Sequence, residues 1–248
     1  MIVPKTAGEL DAMRASGRLA AGVLARLAAA VAPGVTTADL DALARELLRA
    51  RGASSAFLGY RGFPGAICVS VNEEVIHGIP GPRRIAPGDL VSLDVGVRYE
   101  GFVGDTATTV MVGVADPDRV RLVAAAQRAL EAGIAAVRAG ARLSDVSHAV
   151  ESAVRAGGCN VVRAFVGHGV GRELHEEPQV PNYGRPGRGP LLAPGVTFCI
   201  EPMVNLGDGG VDVLADGWTV VSRDGKPSAH FEHTVAVLPD GAEVLTRA

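Results

Sequence analysis

Leu10, Met13, Gly17, Ala20, Leu24, Leu27 and Val31 recur at steps of three and four, the spacing of one helix face. Thr6 and Glu9 just ahead have the spacing of a capping box. A second helix follows Pro33 and Gly34, opened by Thr36 and Asp39, carrying Leu40, Leu43, Leu47 and Leu48 on one side and stopped by Gly52. Asp116 and Pro117 start a third, with Val123, Leu130, Ile134 and Val137 on its inner face, and a fourth runs from about Ser144 to Ala156. Elsewhere the apolar pattern predicts strands near residues 67–72, 90–112, 161–166, 196–205, 218–222 and 233–238. The expected class is α+β, one domain over residues 1–248 with helices packed on a mainly antiparallel sheet.

The two helix pairs correspond at an offset of 106 residues: Gly34 matches Gly140, Asp39 matches Asp145 and Gly52 matches Gly158. That register suggests a duplicated half. With 248 residues the chain can bury a sizeable core, and its apolar runs are too short for the ~20 residues of a membrane span. The opening MIVPKTAGELDAMRAS has no apolar core of a secretory signal, so a cytoplasmic protein is expected. Cys68, Cys159 and Cys199 are odd in number and set in apolar stretches, which suits buried free thiols in strands rather than a disulfide framework. A net charge of −3 with 4% aromatic residues gives no footprint for nucleic acid. A small molecule or a peptide is the expected partner.

Asp94 and Asp105 fall in apolar runs on either side of Glu100 and Gly101, which reads as a hairpin with one carboxylate per strand. Aspartate is depleted in strands and costly to bury unpaired. Taken alone, Asp94 could equally end a strand and Asp105 cap a loop. Glu201, after GVTFCI, and Glu232, in HFEHTVAVL, add two more carboxylates at the ends of apolar strands. In FVGHGVGRELHEEPQV, Gly167, Gly169 and Gly171 permit close backbone approach and unusual dihedrals, so His168 and His175 need not share a helix as in an HExxH site. Four carboxylates with one or two imidazoles suit Mn, Fe, Co or Zn. One divalent ion would leave two surplus negative charges in a poorly solvated site, whereas two ions balance it. A pair of ions can activate water and polarise a carbonyl, so the implied reaction is hydrolysis.

CVSVNEEVIHGIP (Cys68 to Pro80), the Asp94 and Asp105 pair, GHGVGRELHEEPQV, FCIEPM and HFEHTVAV, in this order over nearly the whole chain, resemble the type I methionine aminopeptidases. The resemblance implies a pita-bread fold of two pseudo-symmetric halves. It implies that Asp94 chelates one metal, that His168 and Glu201 bind the other, and that Asp105 and Glu232 bridge the two. His77 and His175 would contact the substrate backbone and steady the tetrahedral intermediate, and the reaction would be attack of metal-activated water on the first peptide bond, with Glu201 among the catalytic residues. The methionine side chain would enter a pocket lined by Tyr60, Phe63, Cys68 and Trp218, with Phe57 and Leu174 nearby. Two positions depart from the family's pattern: Leu174 stands where members often carry an aromatic residue, and Gly96 where some carry a hydroxyl. Only 25 residues separate His175 from Glu201, which leaves no room for the helical insertion of type II members. The expected partners are nascent polypeptides with N-terminal methionine and a small second residue, met near the ribosome by a monomer without nucleic-acid or membrane contacts. The rival readings are a proline-directed peptidase of the same fold and a pita-bread binding protein without catalysis.

Overall fold

The computed structural model describes residues 1–247. Helix α1 covers Ala7–Ala30, α2 Thr37–Arg49, α3 Pro117–Ala136 and α4 Leu143–Ala156. Thr6 and Glu9 form the expected reciprocal cap, and Thr36 with Asp39 forms a second one. Asp116 caps α3 by accepting from the Asp118 N–H, with Pro117 in the first turn.

The 106-residue repeat reappears as matched hydrogen bonds. Gly34 and Gly140, at φ 89° and 82°, donate their N–H to Ile85 and Leu192. Gly52 and Gly158, at φ 65° and 68°, follow α2 and α4, where Ala53 and Cys159 donate back to Leu48 and Val154. These left-handed turns are where glycine avoids the Cβ penalty.

A nine-stranded antiparallel sheet joins the halves. Its central order is Ser54–Ser55, Leu90–Tyr99, Phe102–Met111, Glu232–Leu238, Thr197–Ile200, Gly167–Gly169 and Glu176–Val180. Cys68–Val71 pairs Leu90–Tyr99, and Gly241–Val244 pairs Glu232–Leu238. One core packs α1 and α2 against Leu93, Val95 and Val97; another packs α3 and α4 against Phe198, Ile200, Val235 and Val237. Because side chains alternate along a strand, the neighbours of these residues face away from the helices. At the centre α1 lies directly on the sheet: a Cβ on Gly104 would stand 2.7 Å from Cα of Gly17, and one on Gly17 would strike the carbonyl of Leu245. Among the described residues no helix is long and apolar enough to cross a membrane.

Several sequence expectations need correction. The strand expected at 161–166 is confined to Asn160–Val161, because its partner Met203–Asn205 has only three residues and the chain turns away after Val162. Cys159 consequently sits in the turn after α4 rather than in a strand, although all three cysteines are buried and free. The 218–222 segment begins its strand at Val220, because Asp216 binds the N–H groups of Trp218 and Thr219 in a turn. Glu74–Ile76, Glu176–Val180, Val211–Val213, Ser228–His230 and Gly241–Val244 are strands that the apolar pattern does not announce.

Candidate active site

The carboxylates converge because of register. Asp94 lies opposite Ala107, Ala107 lies opposite Glu232, and Asp105 is two residues from Ala107, so all three acids project from one face of three adjacent strands. The small Ala107 between them leaves that face open. Glu201 follows Ile200, which pairs His233, and so extends beside Glu232. Asp105 is fixed from behind: its N–H donates to Thr234 Oγ1 at 3.0 Å, and the Thr234 hydroxyl donates to its carbonyl at 2.8 Å. Thr106 holds the carbonyl of Glu232 at 2.8 Å, and Asn182 that of Glu201 at 3.0 Å. None of these three polar residues stands out in the sequence, since their partners are 19 to 129 positions away.

His168 reaches the acids from the short strand Gly167–Gly169. Its Nε2 is 3.3 Å from Glu201 Oε1 and 3.9 Å from Asp105 Oδ2. A Cβ on Gly167 would strike the Cys199 carbonyl, and one on Gly169 that of Glu177, so close approach explains these glycines. The unusual dihedrals expected of Gly167, Gly169 and Gly171 are not there: none has a left-handed φ. A register shift between His168 and Gly169 then brings the two histidine rings to 4.1 Å.

Asp94 Oδ1, Asp105 Oδ1, Glu201 Oε1 and Glu232 Oε1 are all buried without a hydrogen-bond partner. Burial raises the Asp105 carboxyl to about 7. Burial, with repulsion from neighbouring carboxylates, holds Asp94, Glu201 and Glu232 well above the ordinary range. Unpaired carboxylates in this number are unfavourable unless protonated or balanced by cations. Ligand atoms of Asp105, His168, Cys199 and Glu232 lie within 4.8 Å of one another. Cys199 belongs to this group by alternation with Glu201, but burial pushes its thiol well up and its sulfur contacts Thr234 Oγ1 at 3.6 Å. The donors that fit divalent cations are therefore the carboxylates and His168, with Cys199 a neutral neighbour.

The acids form the floor of a cavity of about 310 Å³. All thirteen expected site residues line it: Asp94, Asp105, His168, Glu201 and Glu232 below, and Phe57, Tyr60, Phe63, Cys68, His77, Leu174, His175 and Trp218 around. Tyr60 stacks on His175 at 5.3 Å, and Phe63 meets Trp218 edge-on at 5.1 Å. Burial, then His175, lowers His77 to about 4, and burial, then Arg61, lowers His175; both are neutral at pH 7. His77 has φ 59°, a strained conformation of the kind that gathers at working sites. Gly96 departs from a hydroxyl-bearing position because the Phe57 ring fills the space a side chain there would need. Arg61, Ile76, Phe165 and Val166 also line the cavity, and sequence reasoning missed them. Ile76 and Val166 adjoin or nearly adjoin motif histidines, which is the one signal that could have found them.

A sheet-borne acidic cluster that fits metal ions, opening into an apolar pocket, defines a metal-dependent hydrolase. The family model described as "Metallopeptidase family M24" matches residues 11–239. Methionine aminopeptidase 1 of Bacillus subtilis is 47% identical over 247 residues, covering 100% of both chains. Methionine aminopeptidase 1 of Mycobacterium tuberculosis is 47% identical over 253 residues, covering 99% of this chain and 95% of the relative. The crystal structure of methionine aminopeptidase from Thermotoga maritima superposes with a TM-score of 0.98 at 46% identity over all of both chains. Prolidase from Pyrococcus furiosus shares the fold at a TM-score of 0.81 and 21% identity, and this chain covers 66% of its length. The chain belongs to metallopeptidase family M24, in its methionine aminopeptidase branch.

Proposed function

We propose that Asp94, Asp105, His168, Glu201 and Glu232 hold two divalent cations, that the neighbouring cavity takes a methionine side chain, and that the chain removes N-terminal methionine when the second residue is small. The observation that carries this reading is the set of four unpartnered, buried carboxylate oxygens beside His168 at the floor of an apolar cavity. Asp94 is suited to one cation, His168 and Glu201 to the other, and Asp105 and Glu232 to both, drawn from Mn, Fe, Co and Zn. When bound, such a pair supplies Lewis acidity that lowers the pKa of water and polarises the scissile carbonyl.

The chain's own residues do the rest. Tyr60, Phe63, Cys68, Leu174 and Trp218 surround the thioether, whose polarizable sulfur suits aromatic and thiol contacts. They also exclude water from the first residue. Neutral His77 and His175 each offer a ring N–H, one to the substrate backbone and one to the carbonyl oxygen as it gains charge. A carboxylate oxygen of Glu201 takes the proton of the attacking water and returns it to the nitrogen of the leaving amine. The second residue lies between the two histidines, so its bulk limits the reaction. Nascent polypeptides in the cytoplasm, met near the ribosome, are the natural substrates of such an activity.

The test is a peptide panel with metal-loaded protein. Met-Ala-Ser is expected to be cleaved, with Met-Leu-Ser poor in kcat/KM, acetyl-Met-Ala-Ser inert for want of a free amine, and norleucine accepted in place of methionine. Cleavage of Leu-Pro-Ser alone would overturn the reading in favour of a proline-directed peptidase.

A further inference from the structure

Arg61 lines the mouth of the same cavity, and the chemistry above gives it no task. It is exposed, with φ 50°, between Gly59 at 80° and Gly62 at 89°. Glycine would adopt this backbone freely and arginine does not, so the local conformation gives no reason for a long side chain here. The guanidinium Cζ lies 5.3 Å from the centroid of the Tyr60 ring. Tyr60 in turn stacks on His175, and His175 lies 4.1 Å from His168. A continuous series of ring contacts therefore leads from the acidic floor to a cation at the rim. Among the described residues Arg61 has no ion-pair partner, and no other lining residue is permanently cationic. An extended peptide advances about 3.3–3.6 Å per residue, so three contacts out from His168 is within the span of about four residues.

We propose that Arg61 reads the charge of the substrate beyond the scissile bond, so that a carboxylate in the third to fifth residue favours methionine removal and a lysine there opposes it. This rests on the aminopeptidase reading of the site. The contact is made in a solvated mouth, so the effect is a few-fold, screened by salt and expressed in KM more than in kcat.

The experiment compares the amides Met-Ala-Gly-Gly, Met-Ala-Asp-Gly and Met-Ala-Lys-Gly at about 0.01 M and about 1 M salt, where screening lengths are about 30 and 3 Å. For the metal-loaded wild type, the Asp-to-Lys ratio of kcat/KM is expected to be roughly three- to tenfold at low salt and near one at high salt. Arg61→Ala should bring the low-salt ratio near one, and Arg61→Glu should invert it. Ratios within one enzyme cancel any general loss of activity. Binding of the same peptides to metal-free protein, followed by fluorescence of Trp218, the chain's one tryptophan, should give the same order. A wild-type ratio of one, or one unchanged in Arg61→Glu, overturns the proposal. If wild type releases no methionine from Met-Ala-Gly-Gly, the aminopeptidase reading has failed, and the fluorescence order alone decides whether Arg61 reads charge.

Discussion

Individual side chains at the cavity floor and at its walls carry different burdens, and substitution should separate them. Asp105 and Glu232 face the same space from neighbouring strands, and each has a buried oxygen without a partner. Asp105→Ala and Glu232→Ala are expected to abolish turnover and lower metal content, since each would remove a ligand shared by two cations; metal analysis beside activity is the check. Full occupancy with a normal rate in either variant would sink the two-cation arrangement. His77 and His175 stand in the wall, and each supplies a neutral N–H donor. His77→Ala and His175→Ala should keep their metal and lose about 10²–10³ in kcat, the usual cost of removing one donor to developing charge. If His77→Ala loses metal as readily as Asp105→Ala does, its assignment to the substrate is wrong. Gly96 and Phe57 act together, because the aromatic ring occupies the volume that any side chain at 96 would claim.

The elements are pinned where helix α1 meets the central hairpin. Gly104 touches Gly17 backbone to backbone, one residue before Asp105. Gly104→Ala should push the helix outward and cost about 1–3 kcal/mol by overpacking, read as a lower Tm of the metal-free protein. It should also weaken metal binding, because Asp105 moves with the strand; an unchanged Tm would mean that the crossing is loose. The helices were legible in the sequence because their signals are local: Thr6 with Glu9, Thr36 with Asp39 and Asp116 with Pro117 each act within three residues. The hairpin was legible for the same reason, with Glu100 and Gly101 both at positive φ in its turn. Glu176–Val180 was not, since EEPQV has neither alternation nor β-branched residues before Val180 and is a strand through pairing with Gly167–Gly169. The acids could be recognised as a group because Asp94 and Asp105 interrupt the apolar runs of one hairpin while Glu201 and Glu232 stand at the ends of apolar strands. Thr234, Asn182 and Phe165 could not, because their places depend on which distant strands become neighbours.

For the molecule as a whole, the buried acids and imidazoles set the pH dependence of stability. Asp105 at about 7, and Asp94, Glu201 and Glu232 well above their ordinary values, hold protons in the folded, metal-free protein that the unfolded chain gives up above about pH 4. A raised folded value means stability that is present at low pH and lost as pH rises. His77 and His233 at about 4, His168 and His230 at about 3, and His175 are lowered chiefly by burial, so their contribution is lost as pH falls below about 6.5. The two sets oppose each other below about pH 6.5, and above it the acids act alone. Metal-free protein is therefore expected to lose Tm as pH rises from about 6.5 through the Asp105 value of about 7, and added Mn or Co to restore it on the alkaline side. A flat Tm of the metal-free protein over that window would show that the acids ionise freely. Asp94 and Asp105 come from the first half of the chain and Glu232 from its last long strand, while Leu245 closes over the crossing at Gly17. As the protein is synthesised, Asp94 and Asp105 leave the ribosome well before Glu201 and Glu232, so the early pair is only half of the acidic set. A chain stalled short of Glu232 lacks one of the acids lining the chamber and the strand that pairs Phe102–Met111 with Thr197–Ile200, so it is expected to be silent. A cell's supply of the activity is counted in completed chains.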